Sequence, residues 1–590
     1  MEKDLKSNHY LALAFTILFF STICLLCDFY YDLNDDVMLK NILSGIYTGV
    51  PDGHAIYILY PLGFLLSSLY WLQDGIPWFG IFLFCCQAGS LYLFTVRLLS
   101  FTDKLRNKLL LTLLEACLII VLLLQHFILI QYTVTSAMLT STAIFLFCTS
   151  NTQKTPKKFL CENIGILLLA FLSFMLRYQI CLFLLPIFCI AGAYKWSLEA
   201  PVFTRQKVKK YSIFLGILLL GITCIWLLHA AAYNTTEWKE YFAYNTQRTQ
   251  LYDYRMIPSY EENEAFYINI GLTRNEELLL ENYNIGIDGT IDADVLRAVS
   301  AYYDTYYSDT ITRTFTEILR EYLYQTFSRS TYPWNVFIFL LYGAILFTML
   351  SHRNYRSLVV LIGMFFVRSG LWLYIIYNGR TPVRLTASLS LAEFCMLAGM
   401  LLVECKTNHV RKYFKLSLAV MMAALSLLNI NSCFVDLQTE LPHRKVADSK
   451  LTALQTYTKQ HPDAFYFVDV FSLSVYAEKL FSHTDHSASN YDLMGGWMIG
   501  SPLMSQKYAL FDMESMSDAL WSMENVYVIV QSPESVWRPA LTDWLQTFYS
   551  ERNRQVQIEK TDGIFLDGIE IFSIYTVTTA PANLESKNRK

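Results

Sequence analysis

The segment Ala55-Ile56-Tyr57-Ile58-Leu59-Tyr60-Pro61-Leu62-Gly63-Phe64-Leu65-Leu66-Ser67-Ser68-Leu69-Tyr70-Trp71-Leu72 decides how the rest of the chain is oriented. It is apolar enough to suggest a membrane crossing. Yet it is slightly short of the roughly 20 residues a spanning helix needs, and Pro61 and Gly63 interrupt it. Stronger spans lie near 10–27, 77–96, 109–130, 132–149, 160–176, 179–194, 211–232, 335–351, 357–377, 385–403 and 416–431. Lys and Arg concentrate in cytoplasmic loops, so basic clusters report sidedness. If Ala55–Leu72 does not cross, Lys3/Lys6, Arg97/Lys104/Arg106/Lys108, Lys154/Lys157/Lys158, Lys195/Arg205/Lys207/Lys209/Lys210, Arg353/Arg356 and Lys406/Arg411/Lys412/Lys415 share the cytoplasmic side. If it crosses, every cluster after the first moves outside. The segment therefore reads as a helix lying in or dipping into the interface.

Composition agrees with a multi-spanning membrane protein. The 590 residues are 54% hydrophobic and 16% charged, where soluble domains carry about 25% charge. No basic run stands outside the membrane-flanking loops, so no nucleic-acid partner is expected. Most of the thirteen cysteines lie in apolar runs, which gives no disulfide framework. Cys24-x-x-Cys27 sits inside a span, where packing is the expected role. The first span lacks a small-residue cleavage site and reads as a retained anchor.

The expected fold class is a mainly α polytopic membrane protein with about eleven transmembrane helices and a small extracytoplasmic α/β C-terminal domain. The N-terminus is cytoplasmic and the membrane is the plasma membrane. Residues 1–232 form an N-terminal transmembrane module whose first outer loop is 28–76. Residues 233–333 form a large outer helical loop, 334–431 a second transmembrane module, and 432–590 the C-terminal domain. In the large loop, Thr273-x-x-Glu276 is a capping-box pattern and Asp294–Arg329 reads as one long helix. Tyr332-Pro333-Trp334 reads as an interface anchor. The Tyr-dense stretch Tyr241–Tyr260 reads as a packed cap, with stacking on sugar rings as the alternative. In the C-terminal domain, Phe465–Val470, Val526–Val530, Val556–Glu559 and Ile569–Val577 read as strands. Lys450–Gln460 and Ser535–Arg552 read as helices, and Asp492–Trp497 as a structural turn.

Charges that break the positive-inside pattern mark candidate functional residues, because ionised groups near a membrane are costly. Asn34-Asp35-Asp36 follows the first span directly, within a set completed by Asp28, Asp32, Asp52 and Asp74. Lys40, Arg177, Arg380 and Arg384 lie on the same outer side, and Arg368 lies mid-span, where pairing with a carboxylate is expected. A carboxylate can take a proton from an acceptor hydroxyl. Guanidiniums suit the phosphate of a lipid-linked donor and the charge it gains on leaving. Helix capping by Asn34 or Asp35 explains one acidic residue but not the whole set.

Asp35-Asp36, Ser44-Gly45-Ile46-Tyr47-Thr48-Gly49, His54 and Tyr60-Pro61-Leu62-Gly63-Phe64-Leu65-Leu66-Ser67-Ser68-Leu69-Tyr70 together resemble the GT-C superfamily of integral-membrane glycosyltransferases. Protein mannosyltransferases and lipid A aminoarabinose transferases share this layout: an acidic pair after the first span, a Pro-Leu interfacial helix, then the second span. The match covers roughly the first hundred residues. It implies inverting transfer of a sugar from a polyprenyl-phosphate carrier to a cell-envelope glycan or lipid, such as teichoic acid, lipopolysaccharide or capsule. Asp36 is the preferred base, with Asp35 orienting or capping. Arg177, Arg380, Arg384 and Lys40 are candidates for the carrier phosphate, and His54 is a further candidate. Relatives with Asp-Glu in place of Asp-Asp leave the choice of base between the two positions. Some members use a divalent metal and others do not, and no His/Asp spacing here demands one. The alternative function is a transporter or flippase of lipid-linked glycans. Such proteins often carry half-repeats, and the sequence shows none.

Overall fold

The computed structural model describes residues 2–151, 155–201, 203–307, 314–328, 331–407, 410–484, 487–534 and 540–579. The chain is a mainly helical, polytopic membrane protein with a separate C-terminal domain built on a sheet. Among the described residues, ten helices are long and apolar enough to cross a membrane, from Lys6–Leu26 to the one beginning at Lys412. The expected span at 109–130 is not among the ten. It is a helix over Leu105–Leu122, a break at Leu123 and a short helix over Leu124–Ile128. Its first helix has three charged residues among 18, Arg106, Lys108 and Glu115. It still carries the chain from the end of Trp78–Leu99 back to the face that bears the C-terminal domain. There Leu129–Ile130 (β2) pairs in parallel with Tyr30–Tyr31 (β1).

At the centre stands Tyr132–Thr149, almost every residue of which is buried. It packs against Trp78–Leu99, Pro156–Leu176, Tyr178–Ser197 and Val383–Thr407. Its Ser, Thr and Ala side chains let neighbouring backbones approach closely, and polar contacts hold the approach. Ser136 Oγ and Thr140 Oγ1 lie 2.8 Å and 2.6 Å from Ser173 Oγ.

Ala55–Leu72 is not among the ten. Its helix covers only Tyr60–Leu72, 13 residues or about 20 Å, against a hydrocarbon core of about 30 Å. Pro61 lies in the first turn, where its missing N–H leaves nothing unpaired. Gly63 lets the preceding loop fold back across the helix, since a Cβ there would stand 2.1 Å from the Gly53 carbonyl oxygen.

The large loop is helical: Thr236–Tyr254, Tyr260–Asn269, Arg274–Glu281, Ala293–Tyr306 and Phe315–Phe327. The capping box forms, with Thr273 N–H donating to Glu276 Oε2 at 2.6 Å. The long helix expected over Asp294–Arg329 is two helices among the described residues, and 308–313 and 329 lie outside them.

The C-terminal domain holds strands Phe465–Val468 (β3), Tyr491–Leu493 (β4), Val526–Gln531 (β5), Val556–Leu566 (β6) and Ile569–Thr579 (β7), in sheet order β4-β3-β5-β7-β6. β3 pairs in parallel with β4 and β5, and β7 pairs antiparallel with β5 and β6. Four of these strands match the expected segments and β4 is additional. The expected helix at Ser535–Arg552 covers Leu541–Glu551, with 535–539 outside the described residues. Lys450–Gln460 is not a separate helix. It ends a single helix over Lys412–Gln460, 49 residues or about 73 Å, more than twice the hydrocarbon thickness. This helix is both the last span and the stalk of the domain.

The domain is locked onto the first loop. Leu480 N–H donates to Phe29 O at 2.8 Å and Tyr31 N–H to Glu478 O at 3.0 Å. Lys40 Nζ lies 2.7 Å and 2.8 Å from the two Glu478 oxygens, and Tyr47 OH donates to Asp492 Oδ2 at 2.9 Å.

Candidate functional site

The helix Asn34–Ser44 presents its two adjacent aspartates to different surroundings. Successive helical residues point about 100° apart, so one of the pair turns inward when the other turns out. Asp36 is fully buried. Its Oδ1 accepts from Tyr132 N–H at 2.9 Å, and its Oδ2 accepts from Leu33 N–H at 3.3 Å. Burial pushes its carboxyl well above the usual range, and the Tyr132 N–H offsets this only in part. Asp36 thus joins the start of its own helix to the start of the central helix.

Asp35 is half-buried and its Oδ1 accepts from the indole N–H of Trp497 at 3.0 Å. Its other oxygen has no protein partner among the described residues. The five remaining carboxylates of the acidic set are otherwise engaged. Asp28 pairs with Lys479 at 2.8 Å, Asp32 with Arg444 at 2.9 Å, and Asp52 with His54 at 2.6 Å. Asp74 closes its own turn through Gly75 N–H at 2.9 Å, and Asp36 holds the two backbone N–H groups.

Besides Trp497, the charge of Asp35 reaches Tyr57, Tyr132 and Tyr283, and the charge of Arg177 reaches Tyr57 and Tyr132. The Arg177 guanidinium lies 5.0 Å from the Tyr57 ring centroid and 5.1 Å from that of Tyr132, a cation–π sandwich. Its Nη1 is buried without a hydrogen-bond partner. Arg177 projects here because it is the single residue between the helices Pro156–Leu176 and Tyr178–Ser197. Burial pushes the Tyr57 phenol up to about 12, against the opposing pull of Arg248 and Arg177, so it remains a proton donor at neutral pH. Tyr57 also packs on Trp497, with centroids 4.8 Å apart.

Comparison with protein-family models, with curated proteins and with solved structures finds no match to this chain. The site therefore stands on its own geometry.

The other sequence candidates divide. Lys40 is buried against Glu478, so its ammonium is taken up by an internal ion pair. Arg380 pairs with Asp253 at 2.6 Å and lies over the Tyr254 ring at 5.6 Å. Arg384 makes no ion pair among the described residues but lies near Asp32. Burial raises the Asp32 carboxyl, and Arg444 and, more weakly, Arg384 lower it. His54 sits in an aromatic cluster, stacked on Trp238 at 5.3 Å and edge-on to Tyr233 at 5.0 Å. Arg368 is paired as expected: its Nε lies 3.1 Å from Glu393 Oε1 and its Nη1 donates to Tyr322 OH at 2.8 Å. Among the described residues, no group of three or more His, Cys, Asp or Glu is placed to hold a metal ion.

Two residues of the site were not singled out from the sequence. Trp497 belongs to the turn Asp492–Trp497 read as purely structural, and it reaches Asp35 across 462 positions of chain. Arg248 lies in Thr236–Tyr254, is buried, and donates to Tyr283 OH and, at 2.8 Å, to Asn245 Oδ1. A basic residue inside a tyrosine-dense loop was the available sign of it.

Proposed function

We propose that the chain is a membrane glycosyltransferase that moves a sugar from a polyprenyl-phosphate carrier to a cell-envelope glycan or lipid on the outer face. The observation that carries this reading is Asp35: a half-buried carboxylate with no ion pair and one unpartnered oxygen among the described residues, which shares the neighbours Tyr57 and Tyr132 with a buried guanidinium that has an unused donor. Asp35, rather than Asp36, is then the base. Its free oxygen accepts the proton of the acceptor hydroxyl as that oxygen attacks the anomeric carbon. The bond from the anomeric carbon to the carrier phosphate breaks, and the electron pair leaves with the phosphate. Arg177 binds that phosphate and stabilises the charge it gains. Trp497 and Tyr57 orient Asp35 and offer ring faces to a sugar. Inversion at the anomeric carbon follows from a single displacement. The basic clusters at the opposite face support a cytoplasmic N-terminus and an outward site.

The test is transfer of label from a radiolabelled polyprenyl-phosphate sugar to envelope glycan in membranes containing the protein. Asp35→Asn is expected to lose transfer at normal protein levels. Wild-type rates in both Asp35→Asn and Arg177→Ala would refute the assignment.

A further inference from the structure

A cavity of about 860 Å³ lies between membrane-spanning helices and away from Asp35. It is at the upper end of the volumes that accommodate a whole small ligand. It runs between Trp78–Leu99, Leu105–Leu122, Val383–Thr407 and the stalk helix. On Val383–Thr407 its wall extends from Leu391 to Lys406, about 22 Å of helix rise.

The wall changes chemistry along that length. At the face opposite the C-terminal domain it carries Lys104, Lys406, Lys412 and Lys415. Lys104 and Lys412 make no ion pair among the described residues, and Lys415 donates to Cys405 O at 3.0 Å. Partway in, Ser90, Glu115 and Ser141 line it, each at least nine-tenths buried. Ser90 Oγ, Glu115 Oε2 and Ser141 Oγ have no hydrogen-bond partner. Toward the domain face the wall is apolar, ending at Phe127 and Trp334. Buried polar atoms without partners carry a desolvation cost, which an occupant with polar groups at that depth removes.

We propose that this groove holds one anionic glycerophospholipid from the leaflet at the lysine face. The order of the wall is the order of such a lipid: phosphate at the lysines, ester groups at the Ser90 and Ser141 hydroxyls, which can donate to them, and acyl chains along the apolar end. Phosphate near interfacial lysines is favoured by charge. A rim that merely follows the positive-inside tendency would retain no particular lipid through purification. The proposal does not depend on sugar transfer, and its readout is bound lipid.

The test uses the purified full chain in detergent, offered phosphatidylglycerol and phosphatidylcholine in equal amounts and read by native mass spectrometry. One bound phosphatidylglycerol is expected, enriched at least about tenfold over phosphatidylcholine by the combined pull of the lysines. The Lys104→Gln/Lys412→Gln variant should lose that enrichment, and Ser90→Ala/Ser141→Ala should lower retention of both lipids. Equal retention of the two lipids by the wild type overturns the proposal, as does undiminished enrichment in the lysine variant. Displacement of phosphatidylglycerol by equimolar polyprenyl phosphate also overturns it, since that lipid has no ester groups. If the lysine variant does not purify, Ala398→Phe narrows the groove without touching a charge. Lipid retained by that variant counts against the proposal.

Discussion

Asp35 and Asp36 are neighbours of identical chemistry, and the structure predicts that their asparagine variants fail in opposite ways. In Asp35→Asn, the side-chain oxygen still accepts from Trp497, and the second oxygen had no protein partner to lose. The expected stability change is within about 0.5 kcal/mol. Removing a general base costs about 10²–10⁴-fold in rate. In Asp36→Asn, one of the two accepted N–H groups, Tyr132 at 2.9 Å or Leu33 at 3.3 Å, faces an amide NH₂ instead of an oxygen. A buried N–H left unpaired costs about 1–3 kcal/mol. Transfer per folded molecule should then stay close to wild type while thermal inactivation in detergent comes earlier.

The pH dependence sharpens the distinction. Burial raises the Asp36 carboxyl well above its unfolded value. The contribution of such a group to stability is fully present below the unfolded value and is lost as pH rises through the folded one. The stability gap between wild type and Asp36→Asn should therefore narrow from about pH 4 upward, where the unfolded aspartate ionises. The assay pairs labelled-sugar transfer with inactivation midpoints across pH. Full stability and lost transfer in Asp36→Asn, together with wild-type transfer in Asp35→Asn, would refute the reasoning.

Lys40→Met should be strongly destabilising, by about 3–5 kcal/mol, because it leaves Glu478 buried without its cation; Lys40→Met/Glu478→Leu should recover much of the loss, read by inactivation midpoint. Arg177→Lys keeps the charge but not the flat fork between Tyr57 and Tyr132, and should raise the apparent KM for the lipid-linked donor more than Lys40→Arg does. Gly63→Ala puts a methyl 2.1 Å from Gly53 O and should lower folded yield, measured by monodisperse recovery in detergent. Burial pushes Lys507 down to about 8 from an ordinary 10.5. Its contribution to stability is present above the ordinary value and lost as pH falls toward 8, so wild type should gain on Lys507→Met as pH rises through that window.

The parts of the fold governed by lipid were legible from hydropathy and charge. The 13-residue helix at Tyr60 agrees with the basic clusters that required Ala55–Leu72 not to cross. Two boundaries were less legible, for a shared reason. Hydropathy reports where lipid ends, not where a helix ends. The stalk therefore looked like a span plus a separate helix, although Lys412–Gln460 is continuous. Conversely, Leu105–Leu122 combines its apolar run with Arg106, Lys108 and Glu115, so its apolar stretch marked a crossing while its charges disqualify it as a simple lipid-facing one. Glu115 meets Thr95 at 2.7 Å on the neighbouring helix, a contact that no local pattern specifies.

The same limit explains the acidic pair. Sequence brought out the cluster of carboxylates and the exceptional arginines because charge near a membrane is conspicuous. It could not say which charges were already satisfied, since the partners lie far along the chain: Tyr132 for Asp36, Glu478 for Lys40, Arg444 for Asp32. A residue available for chemistry is one that folding leaves incompletely paired, and pairing is a tertiary property. By that criterion Asp35 and Arg177 stand apart from Asp36 and Lys40, although all four looked alike as charges on one side of the membrane. Trp497 completes the argument. It is invisible as chemistry in its own turn, yet it holds one oxygen of Asp35 and leaves the other free.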